Sequence, residues 1–342
     1  MDGSGSSLSE RRGNAPGGDA GTNVVACDLG GTYARFAVAE LDRDRVVSLA
    51  ESVKLRTAEY SSFEGAWDEF GRRCREPLPP RLAMAFAGPV GADVLKLTNS
   101  GWAIEPARMK ERLRLERLTI VNDFGALAHA VARLTDRDLR HVCGPDLPLP
   151  RPGTITIIGP GTGLGVAALL QTTGDYLVLQ TEGGHVDFAP LDDVEEKIAH
   201  ELRRKFGRVS AERVASGPGL WNLYEALRAI EGSERAFDDD MALWDAAVAG
   251  TDTLARMALD RLCRTLGSVA GDMALAHGAA AVVLAGGVGT RIGDYLPRSG
   301  FHDRFVAKGR FERYMGALPV KVIAHPEPGL FGAAAAFYRE HG

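Results

Sequence analysis

The chain has 342 residues, 45% hydrophobic and 25% charged, which suits a globular protein long enough for two domains. A net charge of −5 disfavours a nucleic-acid or acidic-membrane partner, and the longest apolar stretch, around Ala279–Val288, is too short to span a bilayer. The four cysteines, at 27, 74, 143 and 263, form no CxxC pair, which argues against a disulfide framework or a cysteine zinc site and fits a reducing cytosol.

Residues 1–22 are rich in Gly, Ser and Asp and have no apolar period. They are predicted to be a disordered tail, and they lack the apolar core of a signal peptide. Val24–Asp28, Arg35–Leu41 and Val46–Leu55 read as three successive strands. A helix is predicted over Ser62–Arg75, strands over Leu82–Ala87 and Val94–Thr98, and a helix over Glu105–Leu115. Leu118–Asn122 reads as a strand that leads into a helix over Phe124–Leu134. The proline-rich stretch Gly144–Gly153 is predicted to mark a domain crossing. The pattern then restarts with strands over Thr154–Ile158, Gly165–Leu170 and Tyr176–Gln180, so the order strand, glycine turn, strand occurs twice. Beyond Pro190 the chain is mainly helical: Asp192–Phe206, Leu220–Ile230, Met241–Ala249 and a long helix from about Asp252 to His277. Ala280–Ala285 and Val320–Ala324 read as strands and Leu330–Glu340 as a closing helix, giving an α/β protein with two sheets.

The two glycine turns carry the strongest chemical signal. One is Asp28-Leu29-Gly30-Gly31-Thr32; the other is Gly159-Pro160-Gly161-Thr162-Gly163-Leu164-Gly165. Glycine lets backbone N–H groups converge on an anion, and Thr32 and Thr162 add hydroxyl donors. Either turn alone is equally well an ordinary hairpin; the pair suggests a phosphate gripped from both sides. There is no GxxxxGK[ST] and no HRD–DFG pair, so P-loop and protein-kinase architectures are excluded. Asp28 is suited to hold Mg²⁺ through water beside a phosphate, or is simply a turn residue.

Asn122-Asp123 lies between a strand and a helix. Either residue can be the helix N-cap; alternatively Asp123 is a general base at a strand end and Asn122 a substrate contact. In Glu182-Gly183-Gly184-His185 the glycine pair lets Glu182 and His185 turn toward one small polyhydroxy ligand; no further Cys or His completes a metal site. Glu212, ahead of Ser216-Gly217-Pro218-Gly219, is a further acceptor. Asn99 and Trp102 offer an amide and an aromatic face, unless Trp102 is core. Gly286-Gly287 follows a strand and allows close approach of a base or ribose, or serves only as a strand–helix turn.

Taken together, Asp28–Arg35, Asn122-Asp123-Phe124, Gly159–Gly165, Glu182–Pro190, Glu212–Leu220, Gly286–Ile292, Lys308-Gly309-Arg310-Phe311 and Gly329–Ala333 resemble the bacterial hexokinase-type glucokinases, of the superfamily that includes actin, hexokinase and heat-shock ATPases. The resemblance runs from about residue 23 to the end of the chain. It implies a two-domain actin-like ATPase (ribonuclease H-like) fold with duplicated halves and an interdomain cleft. The expected division is residues 23–134 plus 327–342 in a small domain and 135–326 in a large one. It further implies ATP at Asp28, Gly30, Gly31, Thr32, Gly161, Thr162, Gly163, Gly286 and Gly287, with Mg²⁺ at Asp28. Glucose is expected at Asn99, Asn122, Asp123, Glu182, His185 and Glu212, with Asp123 as catalytic base. A cytoplasmic homodimer that phosphorylates glucose at its 6-hydroxyl is the expectation. The alternatives are a kinase for mannose, fructose or glucosamine, or a non-catalytic sugar sensor of the same fold. The cysteine-rich zinc motif of the related repressor/kinase family is missing from the segment after His185.

Overall fold

The computed structural model describes residues 22–42, 45–97 and 100–342. The predicted tail lies outside these residues except for Thr22, which already belongs to the first strand. In the first half the chain runs β1 (Thr22–Leu29), β2 (Tyr33–Asp42), β3 (Arg45–Leu49), β4 (Val53–Arg56), α1 (Phe63–Arg73), β5 (Arg81–Phe86), β6 (Leu95–Lys96), β7 (Ala103–Ile104), α2 (Pro106–Arg112), β8 (Arg117–Asn122) and α3 (Asp123–Arg133). The sheet order is β3-β2-β1-β5-β8, with β4 also on β2. β1 is antiparallel to β2 along its whole length and parallel to β5.

Two predicted strands come out differently. Val46–Leu55 is not one strand: β3 and β4 pair with successive stretches of β2, and the line breaks between them. There Ser52 points its hydroxyl at Glu327, 2.7 Å away, instead of continuing the pleat. Of the described part of Val94–Thr98, which ends at Leu97, Leu95–Lys96 pairs in a small hairpin with β7; Thr98 lies outside the described residues.

The second half comprises β9 (Leu139–Cys143), β10 (Gly153–Pro160), β11 (Leu164–Gln171), β12 (Tyr176–Thr181), α4 (Asp193–Phe206), α5 (Gly217–Glu231), α6 (Asp240–Ala249), α7 (Thr253–Ala276), β13 (Ala281–Leu284), α8 (Gly286–Arg291), α9 (Phe301–Val306), α10 (Glu312–Gly316), β14 (Val320–Ile323) and α11 (Pro328–His341). Its sheet is ordered β12-β11-β10-β13-β14-β9. β10 is antiparallel to β11 and parallel to β13, which repeats the relation of β1 to β2 and β5. β9 was not expected from the sequence. It pairs antiparallel to β14 and so already belongs to the second sheet. The proline-rich Gly144–Gly153 therefore joins two strands of one sheet, and the crossing between halves lies earlier, between α3 and β9.

Two helices tie the halves together. α3 sends Phe124, Leu127, Ala128 and Val131 into the second sheet, against Ile155, Ile157, Ala167 and Leu169. Its Ala126 faces the other way and joins Leu330, Ala333, Ala334 and Phe337 of α11, which cover Val24, Ala26, Ala37, Ala83 and Ala85 of the first sheet. Each large apolar side chain buried in these layers contributes about 1.5–3 kcal/mol. α3 and α11 approach so closely that a Cβ at Gly332 would overlap the Ala126 carbonyl. Among the described residues no helix is long and apolar enough to cross a membrane.

Candidate active site

Both glycine turns are tight β-hairpins at the ends of central strands. In the first, Gly30 N–H donates to Tyr33 O at 3.0 Å, and Thr57 anchors the Gly31 carbonyl through its hydroxyl at 2.6 Å. In the second, Gly161 N–H donates to Gly163 O at 2.8 Å. Thr32 and Thr162 are exposed at the two tips. Gly286 adopts φ 80°, where its missing Cβ matters: a side chain would lie 2.6 Å from the Pro160 carbonyl. The start of α8 is thereby pressed onto the second turn, bringing Gly286-Gly287 beside Gly161–Gly163.

At the strand–helix junction after β8, Asn122 is the N-cap. Its Oδ1 accepts from Phe124 N–H at 2.9 Å and Gly125 N–H at 3.2 Å, and its Nδ2 donates to Gly88 O at 3.1 Å. Because Asn122 caps the helix, Asp123 is released from that duty. Its carboxylate accepts from Phe124 N–H at 2.9 Å, a donor it shares with Asn122. The Phe124 ring packs where a Cβ of Gly165 would otherwise sit, which holds Asp123 against the strand leaving the second turn. Burial raises the Asp123 carboxyl from 3.8 to about 6; the Phe124 N–H opposes the rise, and the charges of Asp28 and Glu182 add to it. Asp28 and Glu182, from the two halves of the chain, thus both lie near enough to Asp123 for their charges to act on its carboxyl.

Asp28 accepts from Arg35 Nη1 at 3.0 Å, across the first hairpin. Burial lifts its carboxyl above the ordinary range; Arg35 lowers it, and Glu327 raises it further. Gly329 approaches this carboxylate so closely that a Cβ would lie 2.9 Å from Oδ2. Arg35 and Glu327 are neighbours of Asp28 outside the turn motif Asp28–Thr32. Arg35 was findable, since it faces Asp28 in the hairpin register; Glu327 lies at the far end of the chain.

Glu182 precedes a single 3₁₀ turn, Gly183–His185, and His185 ends it; both are exposed, with Oε2 and Nε2 3.9 Å apart. Gly184 is obligatory: a Cβ would overlap the Leu164 carbonyl. The segment after His185 is bonded to the one carrying Glu212, through Ala211 N–H to Val186 O at 2.8 Å and Phe188 N–H to Val209 O at 3.0 Å. Arg208 donates to the His185 carbonyl at 2.6 Å. Glu212 in turn reaches the second turn, where its Oε2 accepts from Leu164 N–H at 3.0 Å. No signal in the sequence foretells that bond, which spans 48 positions. Trp102 is not a sugar platform. It is 5% exposed, donates its indole N–H to Tyr60 O at 2.9 Å and packs edge-on against Phe63. Asn99 lies outside the described residues.

Duplicated sheets, each opening on a glycine hairpin, with carboxylates of both halves acting on Asp123, define a phosphotransferase of the actin-like ATPase fold. The family model for glucokinase matches residues 25–340. The chain is 56% identical to the glucokinase of Zymomonas mobilis over 93% of its own length and 98% of that protein, and 40% identical to that of Caulobacter vibrioides, over 92% and 94%. Its structure resembles the crystal structure of a glucokinase from an Antarctic psychrotroph, with a TM-score of 0.80 and 32% identity, covering 93% of this chain and 99% of that one. At 20% identity it shares its fold with the Balamuthia mandrillaris glucokinase solved in complex with glucose, with a TM-score of 0.76, covering 93% and 94% of the two chains. The chain belongs to the glucokinase family, the enzymes that phosphorylate glucose using ATP.

Proposed function

We propose that the protein transfers the γ-phosphoryl group of ATP to the 6-hydroxyl of glucose, with Asp123 as general base. The position of Asp123 carries this reading. The cap is supplied by Asn122, and the Asp123 carboxylate feels the charges of Asp28 and Glu182 and has an affinity for a proton near the middle of the working range, as a base needs. As the sugar oxygen bonds to phosphorus and the bond to the β-phosphate oxygen breaks, the hydroxyl proton passes to Asp123 and then to solvent. Glu182, His185 and Glu212 supply acceptors and a donor for the other hydroxyls, and Asn99 joins them. Asn122 has only one amide hydrogen left to offer, because its other polar groups are bonded within the protein.

The amides of Gly30, Gly31, Gly161 and Gly163, with the Thr32 and Thr162 hydroxyls, receive the phosphates, and Gly286-Gly287 receives the adenosine. Mg²⁺ is bound by one or two carboxylates together with phosphates and water, and the single half-buried carboxylate of Asp28 fits that role. When bound there, the ion neutralises charge on the transferring group. The division into residues 23–134 plus 327–342 and 135–326 makes the cleft an interdomain one that closes on sugar. A cytoplasmic homodimer feeding glycolysis completes the reading. The test is a coupled assay of ADP release with a panel of hexoses. Glucose is expected to give the highest kcat/KM; a higher value for mannose, fructose or glucosamine, or no sugar-dependent turnover, overturns the reading.

A further inference from the structure

The segment that carries Glu212 is fastened to the second phosphate turn at two points. Glu212 Oε2 accepts the Leu164 N–H at 3.0 Å, and five residues later Gly217 N–H donates to the Gly161 carbonyl at 2.8 Å. The same segment is bonded on its other side to the stretch from His185 to Phe188. Gly163 is what admits the contact, because a Cβ there would overlap Glu212 Oε2. A Cβ at Gly161, two residues earlier in the same turn, would meet nothing within 4 Å. Glu212 is half-buried, and its other carboxylate oxygen takes no hydrogen bond from any described residue.

We propose that Glu212 is a positioning residue that couples the sugar to the phosphate turn. One oxygen fixes the turn through the Leu164 N–H and the other accepts a sugar hydroxyl, so each ligand's site is shaped by the other's. The inference rests on Glu212 being a sugar contact, and it extends that reading to the nucleotide side. A carboxylate held in place by the turn meets the sugar already oriented; a sugar bound to it restrains the turn before ATP arrives.

The glycine pair provides the test, with calorimetric glucose binding to the full-length protein and no nucleotide present. Gly163→Ala displaces the Glu212 carboxylate while leaving every other proposed sugar contact in place, and is expected to weaken glucose binding about 5-fold or more, the effect of losing an oriented charged acceptor. Gly161→Ala, in the same turn but in open space, is expected to leave glucose affinity within about 2-fold of wild type, since it removes no hydrogen bond. Equal effects of the two, or an unchanged Gly163→Ala, overturn the coupling. Glu212→Ala separates the two layers of the argument. If it leaves glucose affinity unchanged, Glu212 is not a sugar contact and that reading fails; if it weakens glucose while Gly163→Ala does not, only the coupling fails. Should Gly163→Ala not fold, binding of a non-hydrolysable ATP analogue to sugar-free Glu212→Ala decides: reduced affinity supports the coupling, and wild-type affinity overturns it.

Discussion

Replacing Asp123 by Asn is expected to make the sugar-free protein more stable at neutral pH while it becomes a far poorer catalyst. The folded chain holds this carboxyl at about 6 against an ordinary 3.8, chiefly through burial. A proton therefore binds the folded state more tightly than the unfolded one. The resulting stabilisation is complete below the unfolded value and is lost as the pH rises through about 6; at pH 7 the ionised carboxylate opposes folding. The gap between 3.8 and about 6 amounts to at most about 3 kcal/mol, and partial exposure of the side chain brings it to about 1–2 kcal/mol. Asn carries no charge, yet its amide oxygen can still accept the Phe124 N–H now held at 2.9 Å. Urea denaturation of both proteins measures the difference. The Asn variant should lead at about pH 7.5 and lose most of that lead as the pH is lowered toward about 4. Its kcat should meanwhile fall by ~10²-fold or more, and the wild-type kcat/KM should decline on the acid side with an apparent value near 6. A variant no more stable than wild type at pH 7.5, or a lead that is the same at both ends, would refute the view that this carboxylate is held ionised at a cost to the fold.

Glu182→Ala should raise the KM for glucose strongly and that for ATP much less, since a charged acceptor is worth about 1.5–3 kcal/mol to each hydroxyl it holds; steady-state kinetics with each substrate varied would expose equal damage to both. Activity should require added Mg²⁺ and survive a zinc-selective chelator, and stoichiometric zinc whose removal abolishes turnover would contradict this. In small-angle scattering, glucose should reduce the radius of gyration more than ATP alone does. An unchanged radius at saturating glucose, together with sugar-independent ATP hydrolysis, would mean the site is rigid.

What the sequence discloses is what short range decides. The two glycine hairpins, the strands that flank them and the long buried stripe of α7 follow from residues within a few positions of one another. Asn122 and Asp123 were indistinguishable as caps because both side chains can perform that role. Only the backbone path, which turns Asn122 to both Phe124 and Gly125, assigns the cap to one and frees the other. β9 carries no strand signal of its own because Arg140 and His141 break its apolar character; it is an edge strand, recognisable only with β14 beside it. Val46–Leu55 looked continuous because nothing local foretells that Ser52 will be drawn to Glu327, 275 positions away. The Glu212 contact with the second turn is hidden for the same reason, since loop closure leaves no local periodicity to read.

α11 has a consequence for how the chain is made. The face of the first sheet formed by Val24, Ala26, Ala37, Ala83 and Ala85 is covered by residues of the last helix, from Leu330 to Phe337. A ribosome delivers β1 to β8 before some two hundred further residues, and throughout that interval those strands have no lid. The second half, whose strands and helices lie contiguously between β9 and β14, can complete its own core first. Synthesis and folding therefore run in opposite orders: the part made first is finished last. Exposed apolar strands must wait for the C-terminal helix, so truncation of α11 harms the amino-terminal sheet rather than its immediate neighbours in sequence.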